Sequence, residues 1–233
     1  MDIILFGDSL TEGFPGIDYY KILKEKLPED NLINCGKGGD TVTSLYNRIK
    51  KMNISKKYDV AFIWIGTNDV LKKLLNKYPL INKILNQPYA KNMGEFRKYY
   101  IDIIEYVSLN AKKIFTVSPL IIGEDIHNKW NAELGRLCEE IEGISSKFEN
   151  VEYLDLRKDF ISVLSNKKIS NYILPGTIIG SMLSGLFNDS KRVEKKSKER
   201  TLHLTLDGVH LNKTGAQMVA DVFLERIKMN KSL

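Results

Sequence analysis

The chain has 233 residues, 43% of them hydrophobic and 27% charged, with 35 Lys and Arg against 29 Asp and Glu. That supplies one full α/β core and excludes a disordered chain, while the two widely separated cysteines, Cys35 and Cys138, fit neither a disulfide framework nor a CxxC metal site. No apolar run reaches membrane-spanning length, and Met1 is followed by no basic region, apolar core or cleavage site, so a cytoplasmic protein without a leader is expected.

Asp2 to Phe6 form a short apolar run that predicts a fully buried strand, and Gly7-Asp8-Ser9-Leu10-Thr11-Glu12-Gly13 must then bend sharply. A serine at such a break has a rigid support and an open approach, as a nucleophile requires, although a strand followed by an ordinary turn is the plainer reading. Tyr19 to Leu27 space their apolar residues helically and stop before Pro28. Leu32 to Cys35 predict a second strand, entering the turn Gly36 to Thr41, where Asp40 or Thr41 caps a helix over Val42 to Ile49. Asp59 to Ile65, β-branched and aromatic, are the clearest strand and open into Gly66-Thr67-Asn68-Asp69. A helix over Tyr99 to Val107, a strand over Lys113 to Val117, a helix over Trp130 to Phe148, a strand over Val151 to Leu156 and a closing helix over Lys213 to Met229 complete the pattern. Strands alternating with helices predict one α/β domain over residues 1–233, built on a parallel sheet of about five strands.

In such sheets the site lies beyond the carboxyl ends of the strands, where the loops 7–13, 36–41 and 66–69 should meet. Two connections, about 70–95 and 165–204, are longer than this fold needs and mix apolar residues with lysines; each is either a lid or a surface helix. The basic residues concentrate there: seven between Val70 and Lys98 against Glu95 alone, and eight between Lys167 and Arg200 against Asp189, Glu194 and Glu199. Such segments suit anionic lipid, acidic glycan or nucleic acid, or are simply solvated faces.

Of the three histidines, His210 has a carboxylate close in sequence. In Asp207-Gly208-Val209-His210 a turn brings Asp207 onto one imidazole nitrogen, leaving the other to accept a serine proton. The same stretch also reads as a helix entry with Asn212 as cap, and the two readings are compatible. His127 and His203 lack a similarly placed carboxylate and read as ordinary histidines.

Gly7-Asp8-Ser9-Leu10, Asn34-x-Gly36-x-x-Gly39, Gly66-Thr67-Asn68-Asp69 and Asp207-x-x-His210, in that order, resemble the four sequence blocks of the GDSL/SGNH hydrolase superfamily. The resemblance spans nearly the whole chain and implies a flavodoxin-like three-layer α/β/α sandwich. It implies Ser9 as nucleophile, His210 as general base and Asp207 as its orienting partner. It also implies an oxyanion hole from the Ser9 and Gly39 amides and the Asn68 side chain, with no metal and no cofactor. The motif G-x-S-x-G of the α/β-hydrolases is absent.

The expected activity is hydrolysis of a carboxylic ester through an acyl-enzyme. The apolar and basic insertions favour a lysophospholipid, a thioester or another small acyl ester, with contact to anionic lipid, and an O-acetylated carbohydrate is the alternative. A non-catalytic anion-binding α/β module is the reading of another class, but it leaves Asp207 and His210 without a role. Nucleic acid is not expected as a specific partner, because the basic segments carry few aromatic residues for stacking.

Overall fold

A computed structural model of the protein describes residues 1–52, 54, 56–75, 87–170, 172 and 189–231. Five parallel strands, β1 (Asp2–Gly7), β2 (Asn31–Gly36), β3 (Tyr58–Trp64), β4 (Ala111–Val117) and β5 (Val151–Leu154), pair in the order β2-β1-β3-β4-β5. The order reverses at β1: the chain leaves it for β2 on one side and returns for β3 on the other. In doubly wound sheets such a reversal sets the ligand site at the carboxyl ends of the strands that flank it, here β1 and β3.

Helices cover both faces, which is why the strands read as continuous apolar runs rather than alternating ones. Ile4 and Phe6 of β1 and Ala61 and Ile63 of β3 enter one core with α3 (Val42–Ile49), α5 (Met93–Ser108) and α6 (Lys129–Ser145). Ile3, Leu5, Val60, Phe62 and Trp64 point the other way, towards α2 (Tyr19–Lys26), α7 (Leu156–Leu164) and α9 (Lys213–Lys231). On that face the Phe62 ring stacks on Phe223 of α9 at 4.2 Å, and the Trp64 indole N–H is satisfied by the Ser118 carbonyl at 3.0 Å.

Beyond shifts of two or three residues at other element ends, such as the helix expected to Phe148 that stops at Ser145, the structure departs from the predicted elements in four places. The nucleophile loop is wound into a one-turn helix, α1 (Ser9–Glu12), capped by the Asp8 carboxylate on the Leu10 amide. The segment Gly66 to Asp69 is a helix entry rather than an open loop, because α4 (Thr67–Leu75) begins at Thr67 and buries Val70 and Leu71. The helix expected over Tyr99 to Val107 starts earlier, at Met93, where the Asn92 side chain accepts the Glu95 amide and Phe96 is already buried. The last strand stops at Leu154, since Asp155 caps α7.

Between the two capping candidates the structure selects Thr41. Its hydroxyl and that of Ser44 form a reciprocal capping box at α3, a device worth about 1 kcal/mol. Within the long connections, 190–199 form helix α8 (Ser190–Glu199), which buries Val193 and Ser197 and leaves its lysines outward. Residues 76–86 and 173–188, on which the lid reading of both insertions rests, lie outside the described residues. No described helix is long and apolar enough to cross a membrane, and Cys35 and Cys138 are free thiols.

Candidate active site

Ser9 is the first residue of α1, immediately beyond β1. The loop after β2 is fastened to it on several sides: the Lys37 amide donates to the Gly7 carbonyl, the Gly38 amide to the Glu12 carboxylate, and the Asn34 side chain to the Thr11 carbonyl. A Cβ built on Gly38 would lie 4.0 Å from the Ser9 Cβ, so this loop forms one wall of the serine's surroundings. Gly39 holds φ +77°, a left-handed conformation that side chains oppose, whereas among the described residues only Gln87, at 4.0 Å, approaches the space a side chain would enter. The need for glycine there is thus conformational. Among the described residues no acceptor takes up the amides of Ser9 or Gly39.

Asn68 stands in the first turn of α4. Its Nδ2 donates to the Asp40 carbonyl at 2.9 Å and to Asp8 Oδ2 at 3.2 Å, which ties together the loops after β1, β2 and β3. Asp69 secures the same junction from behind: its Oδ2 accepts the Val42 amide at the start of α3. Asp40 is anchored by Arg48, whose guanidinium also reaches the Gly7 carbonyl.

His210 arrives from the other end of the chain. The Ser9 hydroxyl lies 3.0 Å from His210 Nε2, and His210 Nδ1 lies 2.8 Å from Asp207 Oδ2. With the Nδ1–H donating to the Asp207 carboxylate, Nε2 presents a lone pair to which the hydroxyl donates. Asp207 Oδ1 accepts the amides of Val209 and His210, so the turn expected between the two residues is closed by their own backbone. Asn212 also behaves as a helix cap, accepting the Gly215 amide ahead of α9. His127 and His203 stay apart from this group; the His203 ring meets the Lys168 carbonyl.

The electrostatics divide in two. Burial pushes Asp8 and Asp69 each up to about 7, against the opposing amides of Leu10 and Val42. Burial works the same way on Asp207, yet the His210 charge, its ring hydrogen bond and two backbone amides outweigh it and hold the carboxyl below the ordinary range. Burial alone would lower His210, and the Asp207 carboxylate overcomes this and holds the imidazole above the ordinary histidine value.

The family model of the GDSL-like lipases and acylhydrolases matches residues 3–223. The chain belongs to this family. It is therefore an ester-cleaving hydrolase, as the four blocks imply. Among solved structures, the acetylxylan esterase Axe2 from Geobacillus stearothermophilus is similar with a TM-score of 0.68 at 19% identity, covering 97% of this chain and 93% of that one. The acetyl xylan esterase AlAXEase gives 0.68 at 24% identity, with 97% and 100% covered. LAE5, an alpha/beta hydrolase enzyme from the metagenome of Lake Arreo, Spain, gives 0.66 at 19% identity, with 96% and 93% covered. At these identities the likeness is one of fold. No curated protein sequence matches the chain.

The loop after β4 was not among those expected to converge here, yet Gly123 and Glu124 hold the segment that carries Asp207 and His210. The available signal was positional: Gly123-Glu124 follow the strand Lys113 to Val117 at the same carboxyl edge of the sheet.

Proposed function

We propose that this family member removes a short acyl group, acetyl above all, from a polyhydroxylated alcohol such as a carbohydrate, through an acyl-enzyme on Ser9. The observation that carries the mechanism is the continuous relay from Ser9 Oγ to His210 Nε2 at 3.0 Å and from Nδ1 to Asp207 at 2.8 Å. Axe2 lends support, because structures of its catalytic mutants replace a serine, an aspartate and a histidine, the last two three positions apart, like Asp207 and His210 here.

In this scheme the Ser9 oxygen attacks the ester carbonyl while its proton passes to His210 Nε2, and Asp207 stabilises the resulting imidazolium. The oxyanion takes hydrogen bonds from the Ser9 and Gly39 amides and from Asn68, whose 3.2 Å bond to Asp8 is the weaker of its two and the one exchanged. Collapse breaks the bond to the alcohol, which leaves with the proton from His210. Water then adds to the acyl group, giving its proton to the same nitrogen, and the second collapse breaks the acyl–Ser9 bond as His210 passes that proton to the Ser9 oxygen and the acid departs.

The polar side chains described around Gly38 and Gly39 are in keeping with a polar substrate. They are Glu12 against Gly38, Lys37 and Asp40 on either side of the two glycines, and Gln87 beside Gly39, and among the described residues Lys37, Asp40, Arg48 and Gln87 also line a neighbouring cavity of about 280 Å³. The apolar residues that pointed to a lysophospholipid or thioester fall largely at 74–85 and 173–187, whose side chains lie outside the described residues. The test is turnover of acetylated xylo-oligosaccharides, of chromogenic esters from acetyl to dodecanoyl, and of a lysophospholipid, by the wild type and Ser9→Ala. Acetyl preference with an inactive variant is expected. A long-chain optimum would overturn the substrate class, and activity of Ser9→Ala would overturn the mechanism.

A further inference from the structure

The serine stands on the sheet, but its base does not. Asp207 and His210 sit in a loop between α8 and α9 that belongs to no strand, so something must hold His210 Nε2 in register with Ser9 Oγ. We infer that Glu124 and Thr205 are positioning residues for this reaction: a buried strut that locks the Asp207–His210 turn to the carboxyl edge of β4. The inference rests on the Ser9–His210–Asp207 reading.

The Glu124 side chain is 3% exposed and gathers four donors. Its Oε1 accepts the amides of Leu204 and Thr205, both at 2.8 Å, and the Thr205 hydroxyl at 2.7 Å, while Oε2 accepts the His203 amide at 2.6 Å. A carboxylate is the side chain suited to this place, because it offers only acceptors and enough lone pairs for four donors. With its proton committed to Glu124, the Thr205 oxygen can only accept at its other side, and it accepts the Gly208 amide at 3.0 Å. Gly208 follows Asp207 directly and holds φ +93°; its carbonyl accepts the Gly123 amide at 2.7 Å. The residues Gly123 and Glu124 therefore grip the turn at its tip and at its base.

Both ends of the strut are themselves fixed. The turn is closed by the Thr205–Leu211 bridge and by hydrogen bonds from the Leu206 amide to the His210 carbonyl and from the Asn212 amide to the Leu204 carbonyl. On the sheet side, Asn131 of α6 accepts the Ile122 amide and donates to the Gly123 and Asp125 carbonyls, and the buried Arg157 donates to the Asn131 carbonyl at 2.8 Å. None of these groups touches Ser9. Their effect on the reaction is to fix where His210 stands.

The test replaces Thr205 by Val, which keeps the branched shape and the backbone amide but deletes the hydroxyl that joins Glu124 to Gly208. Thr205→Ser restores that hydroxyl, and Glu124→Gln, which sets an NH2 group among donors, is the second disrupting variant. Each is read by kcat and KM on an acetyl ester and by the rate at which a fluorophosphonate labels Ser9, using protein shown to be folded. Misplacing a catalytic group by about 1 Å costs on the order of 10²-fold, so Thr205→Val should lose about 10- to 100-fold in kcat with KM little changed. Thr205→Ser should stay within about threefold of the wild type on the same argument. Wild-type kcat in folded Thr205→Val or Glu124→Gln, a loss confined to KM, or failure of Thr205→Ser to restore the rate would each overturn the inference. Ser9→Ala separates the two levels: if that variant stays active the triad reading has failed, whereas an inactive Ser9→Ala beside a fully active Thr205→Val rejects the strut alone.

Discussion

Asp8 and Asp207 are equally hidden, at 2% and 0% exposure, and both lie within the groups around Ser9, yet their carboxyls are driven in opposite directions. Asp8 has one backbone amide and one neutral side-chain donor; burial wins and its carboxyl rises to about 7. Asp207 has two backbone amides and an imidazole that becomes cationic; together they win and the carboxyl stays below its ordinary range. The half of the site that holds Ser9 and the proposed oxyanion donors thus carries two carboxyls raised by burial, Asp8 and Asp69, beside the Asp40–Arg48 ion pair. The half that holds the base is built on an ion pair in waiting. The Asp207 carboxylate stands beside the imidazole that the proposed reaction makes cationic, and the proposed oxyanion donors are uncharged amides.

Breaking the charged half should have the largest effect. Asp207→Asn preserves size but loses the charge and disturbs the His210 tautomer, and a loss of about 10⁴ in kcat is expected, measured on an acetyl ester. Asn68→Ala attacks the other half. It removes one uncharged donor, and kcat should fall about 10²- to 10³-fold with KM nearly constant.

The pH profile sharpens the contrast further. Only neutral His210 accepts the serine proton, and Asp207 holds the imidazole above its ordinary value, so kcat/KM should rise with pH through a limb lying above about 6.5. Asp207→Asn withdraws the charge that favours the imidazolium, so its residual activity should show the limb displaced to lower pH. A limb that moves upward, or a rate independent of pH, would contradict the assignment of His210.

The smallest expected effect is on stability. Asp69 is raised to about 7 in the folded protein, against about 3.9 for an ordinary aspartate, so between these values the folded state holds a proton that the unfolded state has lost. Stability should therefore decline as pH rises through that window. Asp69→Asn cannot ionise and keeps an oxygen for the Val42 amide, so its thermal midpoint should fall less than that of the wild type between pH 5 and 8.

Much of this was legible in the sequence where the signal is local. A sheet buried on both faces writes apolar runs such as Asp2 to Phe6 and Asp59 to Ile65, and the observed strands Asp2–Gly7 and Tyr58–Trp64 fall on them. The four motif blocks named the residues that the fold brings together at Ser9, His210, Asp207, Gly39 and Asn68, because each block marks the end of a strand or a tight turn. The start of α4 was hidden: Gly66 to Asp69 have turn composition, and only burial of Val70 and Leu71 makes Thr67 a helix start. For Glu124 the sequence offers only its position beyond the strand Lys113 to Val117, and its role was hidden for a different reason. Its partners lie about 80 positions away, and no local spacing records a contact made only when β4 and the chain between α8 and α9 fold against each other.

The measurement that bears most directly on the account is covalent labelling of the folded protein with a fluorophosphonate, followed by peptide mass spectrometry. The expected result is one adduct per chain, on Ser9, absent in Ser9→Ala and formed far more slowly in His210→Ala. An unlabelled wild type that still turns over acetyl esters, or an adduct formed at the same rate without His210, would contradict the claim that Ser9 is a nucleophile activated by His210.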